Sequence, residues 1–125
     1  MKEIVNPKTT PAPIGPYSKA VKCKGFIFVG GQLPVDPKTE KLVEGGIKEQ
    51  TEQSIKNVKA ILEAGSSSLE KVVKTTVYLK DINNFNEMNE VYKKFFKKDY
   101  PARATVQVAK LPRDSLIEIE AIAEV

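Results

Sequence analysis

A chain of 125 residues with no histidine and a single cysteine has few ways to do chemistry. Zinc sites draw on several Cys or His ligands, and a Ser or Cys nucleophile needs a base that titrates near neutrality, so neither can be assembled. Arg, Lys, Tyr, carboxylates, hydroxyls and backbone groups remain. Arg103 stands out among them, because it heads the alternating run Arg103 to Ala109 in "DYPARATVQVAKLPRD" with an alanine on either side. In the closing segment "LIEIEAIAEV", Glu118, Glu120, Ile122 and Glu124 share one strand face, and Ile117, Ile119, Ala121, Ala123 and Val125 the other. Antiparallel pairing of the two runs across "KLPRDS" would lay Arg103, Thr105 and Gln107 beside the glutamate row. Two readings of Arg103 stand open. It forms a cross-strand ion pair on a solvated face, worth little in free energy, or it sits among small residues and offers its planar fork to the carboxylate of a small ligand.

Other candidates carry the same double reading. Tyr17, delivered by the stiff segment "PAPIGPY", is either a hydrogen-bonding group held in place or an aromatic packing at a strand start. Gly30-Gly31 either opens backbone N–H groups to a ligand or only ends a strand tightly. Cys23 lies between lysines with no base to activate it, and reads as an incidental thiol. "KKFFKK" reads as buried phenylalanines on a helix stripe with lysines at a solvated edge, and there is no nucleic-acid-binding motif.

The elements that must position these groups follow from period. Pro7, Pro11, Pro13 and Pro16 confine the N-terminal stretch to a short strand, Glu3 to Val5, and an extended loop. "SKAVKCKGFIFVGG" reads as two strands turning at Lys24-Gly25, and Phe26 to Val29, apolar throughout, as a strand covered on both faces. "QLPVDPKTEKLVEGG" is a long connector turning at Asp36-Pro37. Ile47, Thr51, Ile55, Val58, Ile61 and Leu62 then define one face of a helix ending at Gly65. Lys71 to Asp81 alternates as a strand with Val73, Thr75, Val77 and Leu79 inward. Asn84 and Glu87 mark a capping-box start to a second helix with Phe85, Met88, Tyr92, Phe95 and Phe96 inward, running to Lys98. Strands at Arg103 to Ala109 and Leu116 to Val125 close the chain. The order predicts an α+β fold, a mixed sheet with both helices on one face, in one domain spanning 1–125.

Composition agrees. Hydrophobic residues at 41% and charged residues at 29% are the balance of an ordinary globular protein, and a net charge of +4 favours solubility without naming a partner. No run approaches the roughly 20 apolar residues of a membrane span, and "MKEIVNPKTT" has no apolar signal core, so a cytoplasmic location without membrane contact is expected. A chain this short with a two-faced sheet has reason to self-associate.

Six segments in order, "IGPYSKAV", "VGGQLPVDPKTEKL", "SIKNVKAILEAG", "VVKTTVYLKDINNFNEMNEVY", "YPARATVQVAKLPRD" and "IEIEAIAEV", resemble the Rid family, the reactive intermediate deaminases, also called YjgF-type. That resemblance implies a chorismate-mutase-like α+β fold, a homotrimer, and ligand sites in the clefts between subunits. It further implies hydrolysis of 2-imino acids, released by pyridoxal-phosphate dehydratases, to 2-keto acids and ammonia, with no cofactor and no metal. Residue by residue, Arg103 matches the arginine that grips the substrate carboxylate, and Glu120 the glutamate that positions or activates water. Tyr17 matches the tyrosine lining the pocket, Gly31 lies where backbone meets ligand, and Thr105 takes a pocket position where several bacterial members carry cysteine. Gly30 for serine in the usual "SGQ", Lys19 for glutamine in "GPYSQA", and Thr105 are departures that bear on substrate preference. A non-catalytic 2-keto acid-binding trimer is the alternative, with RNA binding or cleavage behind it.

Overall fold

The computed structural model describes residues 1–125. Its elements in chain order are β1 (Glu3–Val5), β2 (Ala20–Cys23), β3 (Phe26–Gln32), β4 (Val35–Asp36), β5 (Lys41–Leu42), α1 (Ile47–Ala64), β6 (Val72–Leu79), α2 (Phe85–Phe95), β7 (Ala102–Gln107) and β8 (Ile117–Glu124). Six strands form one sheet in the order β1-β2-β3-β8-β6-β7, and β4 and β5 make a separate small ladder. All neighbours in the large sheet are antiparallel except β6 and β7, which run parallel. The architecture is α+β, with the helices on one side of a mixed sheet.

Local sequence explains each junction. Lys24 and Gly25 both take positive φ (53° and 82°), the conformation that lets a two-residue turn match strand twist, so Cys23 pairs with Phe26. At the start of α1, Glu49 accepts the Gly46 backbone N–H at 2.8 Å, satisfying one of the donors a helix end leaves free. The stripe Ile47, Thr51, Ile55, Val58, Ile61 and Leu62 is buried, as its spacing requires. It meets Ile27 and Val29 of β3, Val77 and Leu79 of β6, and Ile117, Ile119, Ala121 and Ala123 of β8, all buried in one cluster. Met88, Tyr92 and Phe96 complete that core from α2 and its exit, with the Tyr92 and Phe96 rings stacked at 4.5 Å.

Several expectations are corrected. β7 does not pair with β8: β8 lies between β3 and β6, and β7 stands at the sheet edge. The β6-α2-β7 segment is a strand–helix–strand crossover, which pairs its strands in parallel, and this outweighs the sequence proximity of β7 and β8. Val73 points out of the core, because β6 shifts register against β8 between Val72 and Lys74. Asn84 makes no side-chain cap on α2, which is preceded by a short 3₁₀ turn capped by Asp81, whose carboxylate accepts the Asn83 N–H at 2.9 Å. The helix stops at Phe95 and Phe96 is already extended. Within the predicted connector, Asp36 accepts the Lys38 and Glu40 N–H groups, each at 2.8 Å, and folds β4 onto β5.

The face of the sheet away from the helices is bare in the isolated chain. Phe26 and Phe28 are 39% and 45% exposed there, so only one side of the apolar run Phe26 to Val29 is covered. Fully buried Ile27, on the helix side of β3, reports on the core. Ile27→Ala is expected to lower the unfolding free energy by about 2–5 kcal/mol in urea titration, and a loss below about 1 kcal/mol would contradict the packing described.

Candidate active site

The sheet separates the candidate residues into two groups on opposite faces. In register, Arg103 pairs with Thr75 and Thr105 with Val77, so both share the helix side with those buried residues. Glu120 pairs with Thr76 and projects from the bare side. Within one chain Arg103 and Glu120 therefore cannot meet, which removes the cross-strand ion pair between them.

On the helix side, Arg103 lies at the sheet edge with its guanidinium carbon 4.7 Å from the centre of the Tyr92 ring and 5.5 Å from that of Phe85. Stacking on an aromatic face suits a planar, weakly hydrated cation and does not need a carboxylate partner. None of the ion pairs in the chain involves Arg103. The Tyr92 platform is itself fixed, since its hydroxyl and the Thr75 hydroxyl are hydrogen-bonded at 2.8 Å. Burial pushes the Tyr92 phenol above its ordinary range, opposed by that hydrogen bond and by the charge of Arg103. Beside it, the Thr105 hydroxyl is buried with no hydrogen-bond partner. A cationic fork without a carboxylate partner, on the same strand face as an unsatisfied hydroxyl, is an arrangement that a small carboxylate could complete.

The bare side is built around Gly30-Gly31, where β3 slips register against β8 between Val29 and Gln32. The bulge is held by Gly30, which donates to the Lys19 carbonyl at 2.9 Å and accepts from the Gln32 amide at 3.1 Å. A groove of about 300 Å³, lined by Ser18, Phe28, Gly30, Lys74, Thr76 and Glu120, opens on one side of it. On the other side a recess of about 40 Å³ contains Tyr17, Gly31, Lys19, Glu40 and Arg113. Tyr17 is half exposed and its hydroxyl accepts the Ile14 N–H at 3.1 Å, so the proline-rich loop folds back on it. Tyr17, Gly31 and Glu120 thus occupy one face and neighbouring hollows.

Two residues to which sequence reasoning gave no place in the site's architecture frame this face. Lys19 is 5% exposed, and its ammonium donates to the carbonyls of Pro7 and Thr10, the latter at 3.1 Å. Burial lowers its pKa, with Glu40 pulling the other way. A buried lysine pinning a proline loop has no periodic signature in sequence. Glu118 is the second, half-buried against Gly31; its parity with Glu120 was the available signal. No group of three or more His, Cys, Asp or Glu residues is arranged to hold a metal ion, and no helix is long and apolar enough to cross a membrane.

The family model described as Endoribonuclease L-PSP matches residues 7–125. The chain belongs to this family, the YjgF/Rid family. Among Rid-family relatives, a RutC family protein of Pyrococcus horikoshii is 56% identical over 98% of each chain. The human protein named 2-iminobutanoate/2-iminopropanoate deaminase is 47% identical over 98% of this chain and 90% of its own. The crystal structure of E. coli TdcF with bound serine superposes with a TM-score of 0.93 at 41% identity, covering 98% of both chains.

For a Rid-family sheet edge of this kind, the Thr75–Tyr92 bond can be tested apart from any activity. Tyr92→Phe keeps the ring under Arg103 but strands the Thr75 hydroxyl. It is expected to cost about 1–3 kcal/mol in chemical denaturation; an unchanged midpoint would mean that the bond does not form.

Proposed function

We propose that the protein hydrolyses reactive 2-imino acids to 2-keto acids and ammonia in the cytoplasm, as a homotrimer whose sites are each completed by residues of adjacent protomers. The observation that carries this reading is the Arg103 guanidinium, stacked on Tyr92, free of any ion pair and adjacent to the unsatisfied Thr105 hydroxyl. Such a fork matches a substrate carboxylate in bidentate geometry. Glu120 lies on the opposite face, so a partner's bare face brought against the β7 edge would supply it, together with Tyr17 and Gly31. The exposed Phe26 and Phe28 of that face favour its being covered. The name of the human relative and the serine bound in TdcF, a small molecule with an α-carboxylate, support the substrate class.

The chemistry asks for little. A protonated imine is already electrophilic. Arg103 would fix the carboxylate, and Glu120 would accept a proton from water as its oxygen bonds to the imine carbon, help worth roughly 100- to 10,000-fold.

Imine lifetime, followed with a semicarbazide trap while a threonine dehydratase turns over threonine, tests the reading. Arg103→Ala and Glu120→Gln should each return the lifetime nearly to that without the protein. Co-expressed with different tags, they should recover about a quarter of wild-type activity, because a random ring places both intact residues at one interface in four. A 2-keto acid that raises the melting temperature of wild type and Glu120→Gln equally, with no turnover by either, would replace the enzyme with a binding module.

A further inference from the structure

The side chain of Glu118 enters the space that a side chain at position 31 would need. A Cβ built on Gly31 would lie 2.7 Å from the Glu118 carboxyl carbon and 2.8 Å from one of its oxygens. Glycine at 31 thus brings the carboxyl directly against the β3 backbone, at the wall shared by the Tyr17 recess and the bulge. Glu120 stands two residues further on the same strand face. Both carboxyl groups project from one strand on one face: Glu120 lines the groove, and Glu118 packs against Gly31, which lines the recess.

We propose that Glu118 is the acid of the reaction, holding the proton that the leaving nitrogen needs, while Glu120 is the base; this rests on the deaminase reading above. No cation is paired with Glu118: Lys19 and Arg113 of the neighbouring recess donate to the backbone carbonyls of Pro7, Thr10 and Glu40. On β8 its neighbour in charge is Glu120, and across the ladder on β6 it meets Tyr78. Further along that face of β6, Lys80 is bound to Asp114 at 2.9 Å and Lys74 leans on the Thr76 hydroxyl at 3.5 Å. From β3 it meets glycine backbone. Burial, and then the charge of Glu120, raise the pKa of Glu118 above the usual carboxylate range. Tyr78 is likewise raised, by burial and then by Glu120, so it stays a neutral phenol and brings no charge to the pair. A carboxyl group raised by burial, two residues along a strand from a second carboxyl group, is placed to supply an acid step beside a base step at one pH.

The steps balance without a co-reactant. Water oxygen bonds to the imine carbon, the π pair moves to nitrogen, and Glu120 takes the water proton, leaving a neutral carbinolamine. Glu118 gives its proton to the amino nitrogen. The C–N bond breaks with its electrons on nitrogen, ammonia departs, and the hydroxyl proton returns to Glu118 as the carbonyl forms. Glu120 releases its proton to solvent or to ammonia.

The pH profile of kcat/KM for imine hydrolysis reads this directly. Wild type should lose activity above the pH at which Glu118 ionises. Glu118→Gln should lower the rate about 100-fold or more and abolish that alkaline limb. Glu118→Asp, which keeps an acid one methylene shorter, should recover part of the rate with the limb present. ¹³C-carboxyl NMR of glutamate-labelled protein, assigned by the Gln variant, should place Glu118 above the other glutamates in its titration. If Glu118→Gln keeps the wild-type rate and limb while Arg103→Ala and Glu120→Gln are inactive, the acid role falls and the deaminase reading stands. If wild type itself fails to shorten imine lifetime, both fall. A Glu118 signal titrating with the exposed carboxylates overturns the proposal whatever the activity.

Discussion

The placement of β8 governs the rest of the molecule. It is the last strand in sequence yet pairs with β3 on one edge and β6 on the other. A strand in that position must satisfy two environments at a two-residue period, and β8 does so with little ambiguity. Ile117, Ile119, Ala121 and Ala123 meet the helices, and Glu118, Glu120 and Ile122 face away. A slip of one residue would turn the face carrying Glu118, Glu120 and Glu124 toward a core that holds no cation for them, a cost of several kcal/mol for each ion buried. Register in β8 is therefore fixed by charge as firmly as by packing, and every residue of the candidate site is placed relative to it.

That constraint divides the site's chemistry by face. The helix side can hold a cation at the sheet edge because Tyr92 and Phe85 provide aromatic surfaces in place of a carboxylate. The bare side carries carboxylates beside glycine backbone and apolar Phe28. Separation by a whole sheet keeps Arg103 from neutralising either glutamate within its own chain. Opposite charges that would quench one another as neighbours stay available to a ligand arriving from solvent.

Much of this was legible in the sequence, and the exceptions have specific causes. Period two and period 3.6 located the strands of the large sheet and both helices, and the parity of "IEIEAIA" separated core from bare face. Pairing was not legible from parity: Arg103 and Glu120 looked adjacent because β7 and β8 are consecutive, whereas the crossover through α2 ties β7 to β6 in parallel. The loop-pinning role of Lys19 escaped because its acceptors, the carbonyls of Pro7 and Thr10, are backbone atoms in an irregular loop. The end of α2 at Phe95 was masked by the apolar pair Phe95-Phe96, of which Phe96 reaches the core from extended backbone.

The bulge at Gly30-Gly31 exchanges which side of the sheet the chain addresses. Before it, odd-numbered Ile27 and Val29 point to the helices; after it, even-numbered Gln32 does, and its carbonyl accepts the Ser54 hydroxyl at 2.9 Å. Asn57 then secures the following segment through the carbonyls of Leu33 and Val35 at 3.1 and 2.9 Å. The extra residue acts as a phase shifter between two stretches of chain with opposite parity. Removing one glycine would leave both stretches with sound local sequences but incompatible faces, so the length of this junction is as much a part of the fold's information as the identity of its residues.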